Sequence, residues 1–187
     1  MKYEFTEETK VENGITLRRI RRISDGLIGG WIEKEENLSQ DGDCFVSGDA
    51  RVYGNARVYD NVKVSGDALV CGNAKVIGNA RVSSDAKVYG NAWVYGDAWV
   101  YGNANVYGNA CVFDNAVVTG NARVYDNACV FDNAWVYGDA WVFGNAWVYS
   151  YARVSGDALV YGDARVSDYA TEKVDSFLQN MLVCFHT

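Results

Sequence analysis

From Cys44 to Ala170 the chain repeats one pattern of apolar and polar positions every six residues. Aligned on valine, Val46, Val52, Val58 and Val64 open a series of 21 valines that runs without a slip to Val166. Two residues before each valine stands a small residue, from Ala50 and Ala56 to Ala164, with Cys44 and Val62 as the exceptions. The hexad reads A-x-V-aromatic-G-[ND], and "GNAWVYGDAWVYGNANVYGNACVF" from Gly90 to Phe113 shows it nearly unchanged. Alternation over A-x-V-aromatic is a period of two. It predicts a short strand with Ala and Val on one side and x and the aromatic on the other. Gly followed by Asn or Asp is corner chemistry, tolerant of positive φ. Each hexad is then one strand plus one corner, and three of them close a triangular coil of about 18 residues. Backbone hydrogen bonds between coils set a spacing of about 4.8 Å, so about seven regular coils form a prism roughly 34 Å long.

A solenoid exposes a coil at each end, and each end needs a cap. Residues 1–43 are expected to form an N-terminal cap with one or two irregular coils. In "GITLRRIRRI", Ile15, Leu17, Ile20 and Ile23 read as strand, and Gly26, Gly29 and Gly30 beyond it read as bends. The array is assigned to 44–170. After Ala170 the hexad fails, because Glu172 stands where valine should be. In 171–187, Val174, Phe177, Leu178, Met181, Leu182 and Phe185 fall at the spacing of one helical face. They predict an amphipathic helix that caps the last coil or packs on a sister chain.

The hexad resembles the hexapeptide repeat of left-handed parallel β-helices, in which an aliphatic residue is followed four positions on by a small one. Val94 with Ala98, and Val124 with Ala128, show this. The resemblance covers Cys44 to Ala170 and implies the left hand of the coil. The upstream stretch "LIGGWIEKEENLSQDGDCFVSGDARVYGNARV" is similar to the leading segment of a narrower group, the bacterial and phage polymer-forming or YdcK-like proteins. The expected architecture is thus all-β: a single-domain left-handed parallel β-helix with an N-terminal cap and a C-terminal amphipathic helix. Trimers are usual among such β-helices, and many hexapeptide-repeat proteins are acyltransferases.

Composition narrows the function. A net charge of −7 disfavours direct nucleic-acid binding and suits an acidic body docking on a basic partner. No stretch approaches the roughly 18 apolar residues of a membrane span, and Met1 to Lys10 is too polar for a signal peptide. Five cysteines without a CxxC pair argue for free thiols and a cytoplasmic location, not for a disulfide framework or a zinc site. Arg18, Arg19, Arg21 and Arg22 form the only basic cluster and are expected to pair with nearby carboxylates.

Acyl transfer needs a general base beside a pocket. The one histidine is His186, beyond the expected helix, and no insertion interrupts the array to cover a cofactor. A carbonic-anhydrase-type site would need three histidines for zinc. No catalytic residue, metal or cofactor is therefore expected, and an acyltransferase-like site between subunits is the alternative. Asp67, Asp97, Asp139, Asp157 and Asp163 in the Asn slot, and Asp60, Asp114, Asp126 and Asp132 in the Gly slot, read as turn chemistry before they read as ion ligands.

The same period sorts the outward residues into three faces. The second face carries Arg57, Lys75, Trp93, Cys111, Cys129, Trp147 and Arg165 beside Tyr59, Ile77, Tyr95, Phe113, Phe131, Tyr149 and Ser167. Its centre, Trp93, Tyr95, Cys111, Phe113, Cys129, Phe131, Trp147 and Tyr149, is a continuous apolar field larger than the few hundred Å² a monomer usually leaves bare. Aromatic ladders explain the Tyr columns alone. They explain tryptophan, phenylalanine and cysteine together less well, so this face is expected to meet another chain. Regular Thr ladders for ice are lacking, and the polar groups that sugar binding needs are not matched to the rings. The sequence therefore predicts a non-catalytic solenoid, dimeric or trimeric, that acts by protein–protein binding. The phage resemblance and the charge suggest a host defence or nucleic-acid-handling protein as the target. A purely structural, self-assembling role is the third reading.

Overall fold

The structure is a computed structural model that describes residues 1–167. The expected C-terminal helix, with Val174, Phe177, Leu178, Met181, Leu182 and Phe185, and His186 after it, lies outside the described residues. Before it, 21 two-residue strands run from Phe45–Val46 to Arg165–Val166, each formed by the x and Val positions of a hexad. They make three parallel sheets in which each strand pairs with the strand one coil on. Arg51 faces Leu69, Arg57 faces Lys75 and Lys63 faces Arg81. The alternation is obeyed throughout: Ala50 and Val52, Ala104 and Val106, and Ala140 and Val142 are all fully buried, so the core is a stack of valines with alanines beside the corners.

Strands β1 (Tyr3–Glu12), β2 (Ile15–Arg22) and β3 (Ile28–Ile32) build the cap. The first two form an antiparallel hairpin, β3 pairs antiparallel with β2, and β3 then joins the array in parallel, with Trp31 opposite Arg51. Leu38 bridges to Val58 on the second sheet and Phe45 pairs with Lys63 on the third. Together these segments make one irregular leading coil, so the solenoid has about eight turns where the hexads alone predict seven. Leu17 and Ile20 are both buried although three residues apart; Ile20 joins the core cluster and Leu17 does not. Ile23 is exposed.

Two expected bends are strand instead. Gly29 and Gly30 lie inside β3, where they are buried and leave no room for a side chain. Gly26 is a true turn, with φ of +71°. The open end of the core is closed by Tyr3, Ile20, Ile32 and Leu38, continuous with the valine stack. The Tyr3 hydroxyl donates to the Leu38 carbonyl at 2.8 Å, and burial pushes its phenol well above the usual range. The arginine cluster is spent on the cap itself. Arg21 pairs with Glu4 and Arg22 with Asp25, Arg19 lies between Glu8 and Asp49, and Arg18 stacks over Phe5 at 3.9 Å.

The corners explain the choice between Asn and Asp. On one corner Asn55, Asn73, Asn91, Asn109, Asn127 and Asn145 each donate a side-chain N–H to the next residue of the column, at 2.9 to 3.1 Å, ending on Asp163. Shorter runs on the other corners end on Asp97 and Asp139. A carboxylate only accepts, so it can close such a ladder but cannot continue it. In the Gly slot, Asp60, Asp126 and Asp132 adopt φ near that of glycine (63°, 59° and 57°). Their carboxylates accept the backbone N–H one coil on, from Gly78, Gly144 and Ser150, at 3.0 to 3.3 Å. Asn109→Asp is expected to break the ladder by setting its new carboxylate against the Asn127 oxygen. The cost is about 1 kcal/mol, read as a melting point lower by roughly 2–4 °C, whereas Asp163→Asn at the ladder's end leaves it unchanged. Equal melting of the two variants would show that the ladder carries no stability.

Candidate binding face

The second face assembles as the period requires. Trp93 lies opposite Cys111, Cys111 opposite Cys129, and Cys129 opposite Trp147. One column over, the rings of Tyr95, Phe113, Phe131 and Tyr149 form an unbroken stack with centroid steps of 4.8, 4.9 and 5.3 Å. The parallel strands hold each ring directly over the last, so the stack is a property of register and costs little side-chain freedom. Burial raises the Tyr95 phenol above its usual range. The face that carries Arg51, Leu69 and Lys87 has a second ladder through Tyr89, Tyr107, Tyr125, Phe143 and Tyr161, at 4.8 to 5.4 Å.

The tryptophans stand differently. Trp93 and Trp147 are 42% and 38% exposed, and Trp99, Trp135 and Trp141 are exposed to a similar degree on the other faces. Each of the five has a cation stacked on it from an adjacent coil of its own face. Lys75 lies over Trp93 at 4.4 Å, Arg81 over Trp99 at 4.7 Å and Arg123 over Trp141 at 4.7 Å. Arg153 lies over Trp135 at 5.5 Å and Arg165 over Trp147 at 4.6 Å. Trp31 in the cap is held between Lys10 and Arg19 and is nearly buried. Such contacts contribute about 0.5–1 kcal/mol each at exposed sites. The charges at the ends of the aromatic runs are thus part of the runs. Reading the columns by hydrophobicity missed this, although the signal was present, since every array tryptophan has Lys or Arg one period before or after it.

At the centre of the second face sit the two thiols, both half-exposed and free. Each thiol acts on the other's ionisation: the neighbouring Cys129 brings Cys111 down to about 7 against the opposing effect of desolvation, and Cys111 pushes Cys129 up. The N-terminal end of this face borders an open depression lined by Lys34, Glu36, Asn37, Asn55, Arg57 and Lys75. Among the described residues no group of three or more His, Cys, Asp or Glu converges on one point, and no helix is long and apolar enough to cross a membrane.

A family model described as the YdcK β-solenoid repeat matches this chain five times, over residues 45–60, 50–66, 86–102, 122–138 and 152–168. No curated protein matches it.

Proposed function

The chain is a parallel β-solenoid built of YdcK-type repeats, and on that premise we propose that it is a non-catalytic, homo-oligomeric protein that acts by protein–protein binding. The observation that carries this reading is the second face, where Trp93, Cys111, Cys129 and Trp147 share one column beside the Tyr95–Tyr149 ring stack. An apolar centre bounded by Lys75 and Arg165 suits a macromolecular surface more than a small substrate, which is usually held in a concave pocket. A sister chain is the expected occupant, because most soluble oligomers are homo-oligomers.

The rest of the surface is left for a different partner. Asp49, Asp67 and Asp85 follow one another up one corner, with Asp139 and Asp157 higher on the same edge. With a net charge of −7 this favours a basic partner surface, such as that of a nucleic-acid-handling or defence protein. The solenoid presents both surfaces on a rigid body in the cytoplasm.

The test is the double change Trp93→Glu, Trp147→Glu. Two interface tryptophans are together worth about 4 kcal/mol or more, roughly a thousandfold in dissociation constant. The solution mass is expected to fall from a dimer or trimer to a single chain, with the melting point of the fold little changed. A wild-type chain that is already monomeric, or a variant of unchanged mass, overturns the self-interface.

A further inference from the structure

Cys111 and Cys129 form a chemical pair that the fold does not require, since the other columns use Leu, Lys, Asn or Trp at the equivalent position. They are in-register partners on neighbouring coils. Each thiol donates to the carbonyl two residues before it, Asn109 and Asn127, at the same 3.8 Å. The two side chains therefore share one orientation, and their sulfurs stand one strand spacing apart, about 4.8 Å. The rings beside them repeat the same step, 4.8 Å from Tyr95 to Phe113 and 4.9 Å from Phe113 to Phe131.

That separation decides between the reactions open to two thiols. A disulfide draws its Cβ atoms to about 3.5–4.5 Å, so bridging this pair would pull neighbouring coils together at this point. Tetrahedral zinc needs four ligands, and no third His, Cys, Asp or Glu joins the pair among the described residues. A zinc–thiolate bond is about 2.3 Å long, and two bonds of that order end to end span about 4.6 Å, close to the strand spacing. Collinear two-coordination is the habit of soft monovalent d¹⁰ cations, and Cu(I) is one that soft thiolate ligands favour.

We propose that Cys111 and Cys129 form a two-coordinate thiolate site for a soft monovalent cation, Cu(I), at the centre of the second face. Binding forms two copper–sulfur bonds, releases two thiol protons to water and changes no oxidation state. Each thiol gives up its proton as its copper–sulfur bond forms. Trp93 and Trp147 flank the pair along the column. Lys75 and Arg165, stacked on them, place positive charge at both ends of a site that becomes anionic when filled.

The site does not depend on what covers the face, and its test keeps the two questions apart. Cu(I) is titrated anaerobically into the full chain against the chelator bicinchoninate. The wild-type chain, or the Trp93→Glu, Trp147→Glu chain with its second face free, is expected to take one Cu(I) per chain. Cys111→Ser and Cys129→Ser are each expected to abolish it without changing the melting point, while Cys71→Ser and Cys184→Ser keep it. Uptake only in the tryptophan variant supports the site and shows the face covered in the wild type. No uptake in either chain, or uptake that survives both central serine changes, overturns it.

Discussion

Val106→Asp is expected to collapse the middle of the solenoid, whereas Asn105→Asp, one residue earlier, is expected to be neutral or mildly stabilising. Val106 is fully buried, between Val88 and Val124 on neighbouring coils. A carboxylate there meets only valine and alanine, with no cation or donor to offset its desolvation. The penalty is about 5 kcal/mol, at the upper end of what single changes cause. In a chain of this length each kcal/mol moves the melting point by roughly 2–4 °C, so a fall of about 10–20 °C is expected. Asn105 points outward and lies in register between Lys87 and Arg123, which would flank a carboxylate with two cations and offset the loss of the N–H that Asn105 donates to the Asn103 carbonyl at 2.8 Å. Because a solenoid is stabilised between nearest neighbours, the Val106→Asp melt should also broaden as the two halves uncouple. Circular dichroism on the two variants reads both effects. Equal melting would show that inside and outside have been exchanged along the hexad.

The contrast between those two neighbours was legible in the sequence, because one period of two inside one period of six assigns every array residue to a side and a face. The same arithmetic places Cys111 opposite Cys129 and stacks Tyr95, Phe113, Phe131 and Tyr149. What it could not show is which outward side chains hold one another. The cation over Trp93 comes from Lys75, and the donor to Asn109 comes from Asn91. Both lie one coil away, so the spacing was available, but sorting residues by hydrophobicity separates partners that chemistry joins. The cap was less legible still. β1 reads "YEFTEETKVE", a strand whose alternation is diluted by charge on both sides, as suits an edge that must not pair with another chain. Its buried Tyr3 and the slip opposite Ile20 are set by the end of the core they close, and no local pattern encodes that end.

Glycine misled for a related reason, and the second large effect follows from it. Gly30→Ala is expected to peel the leading coil from the array, and Gly26→Ala to cost far less. At Gly26 a Cβ meets open space, and the residue is needed only for its φ of +71°. An alanine forced into that left-handed conformation costs about 1–2 kcal/mol. At Gly30 the backbone is ordinary strand and the requirement is room. A Cβ would lie 2.6 Å from the Ala50 carbonyl oxygen and 2.7 Å from Val46 Cγ1. That carbonyl accepts the Trp31 N–H at 2.9 Å, one of the bonds that ties β3 to the array. Relieving the clash therefore means moving the backbone and giving up the pairing between Trp31 and Arg51. The expected cost is about 3 kcal/mol, the upper part of the usual range for overpacking. Because neighbouring coils are coupled only pairwise, the loss should stay at the N-terminal end. Amide hydrogen exchange is expected to quicken at Trp31, at Glu33 and through β2, while amides from Trp93 to Trp147 keep their protection. Unchanged exchange at Trp31 would mean that β3 can bow away from Val46 without losing its register. Glycine would then be dispensable at position 30, and lack of room beside Ala50 and Val46 would not be what selects it there.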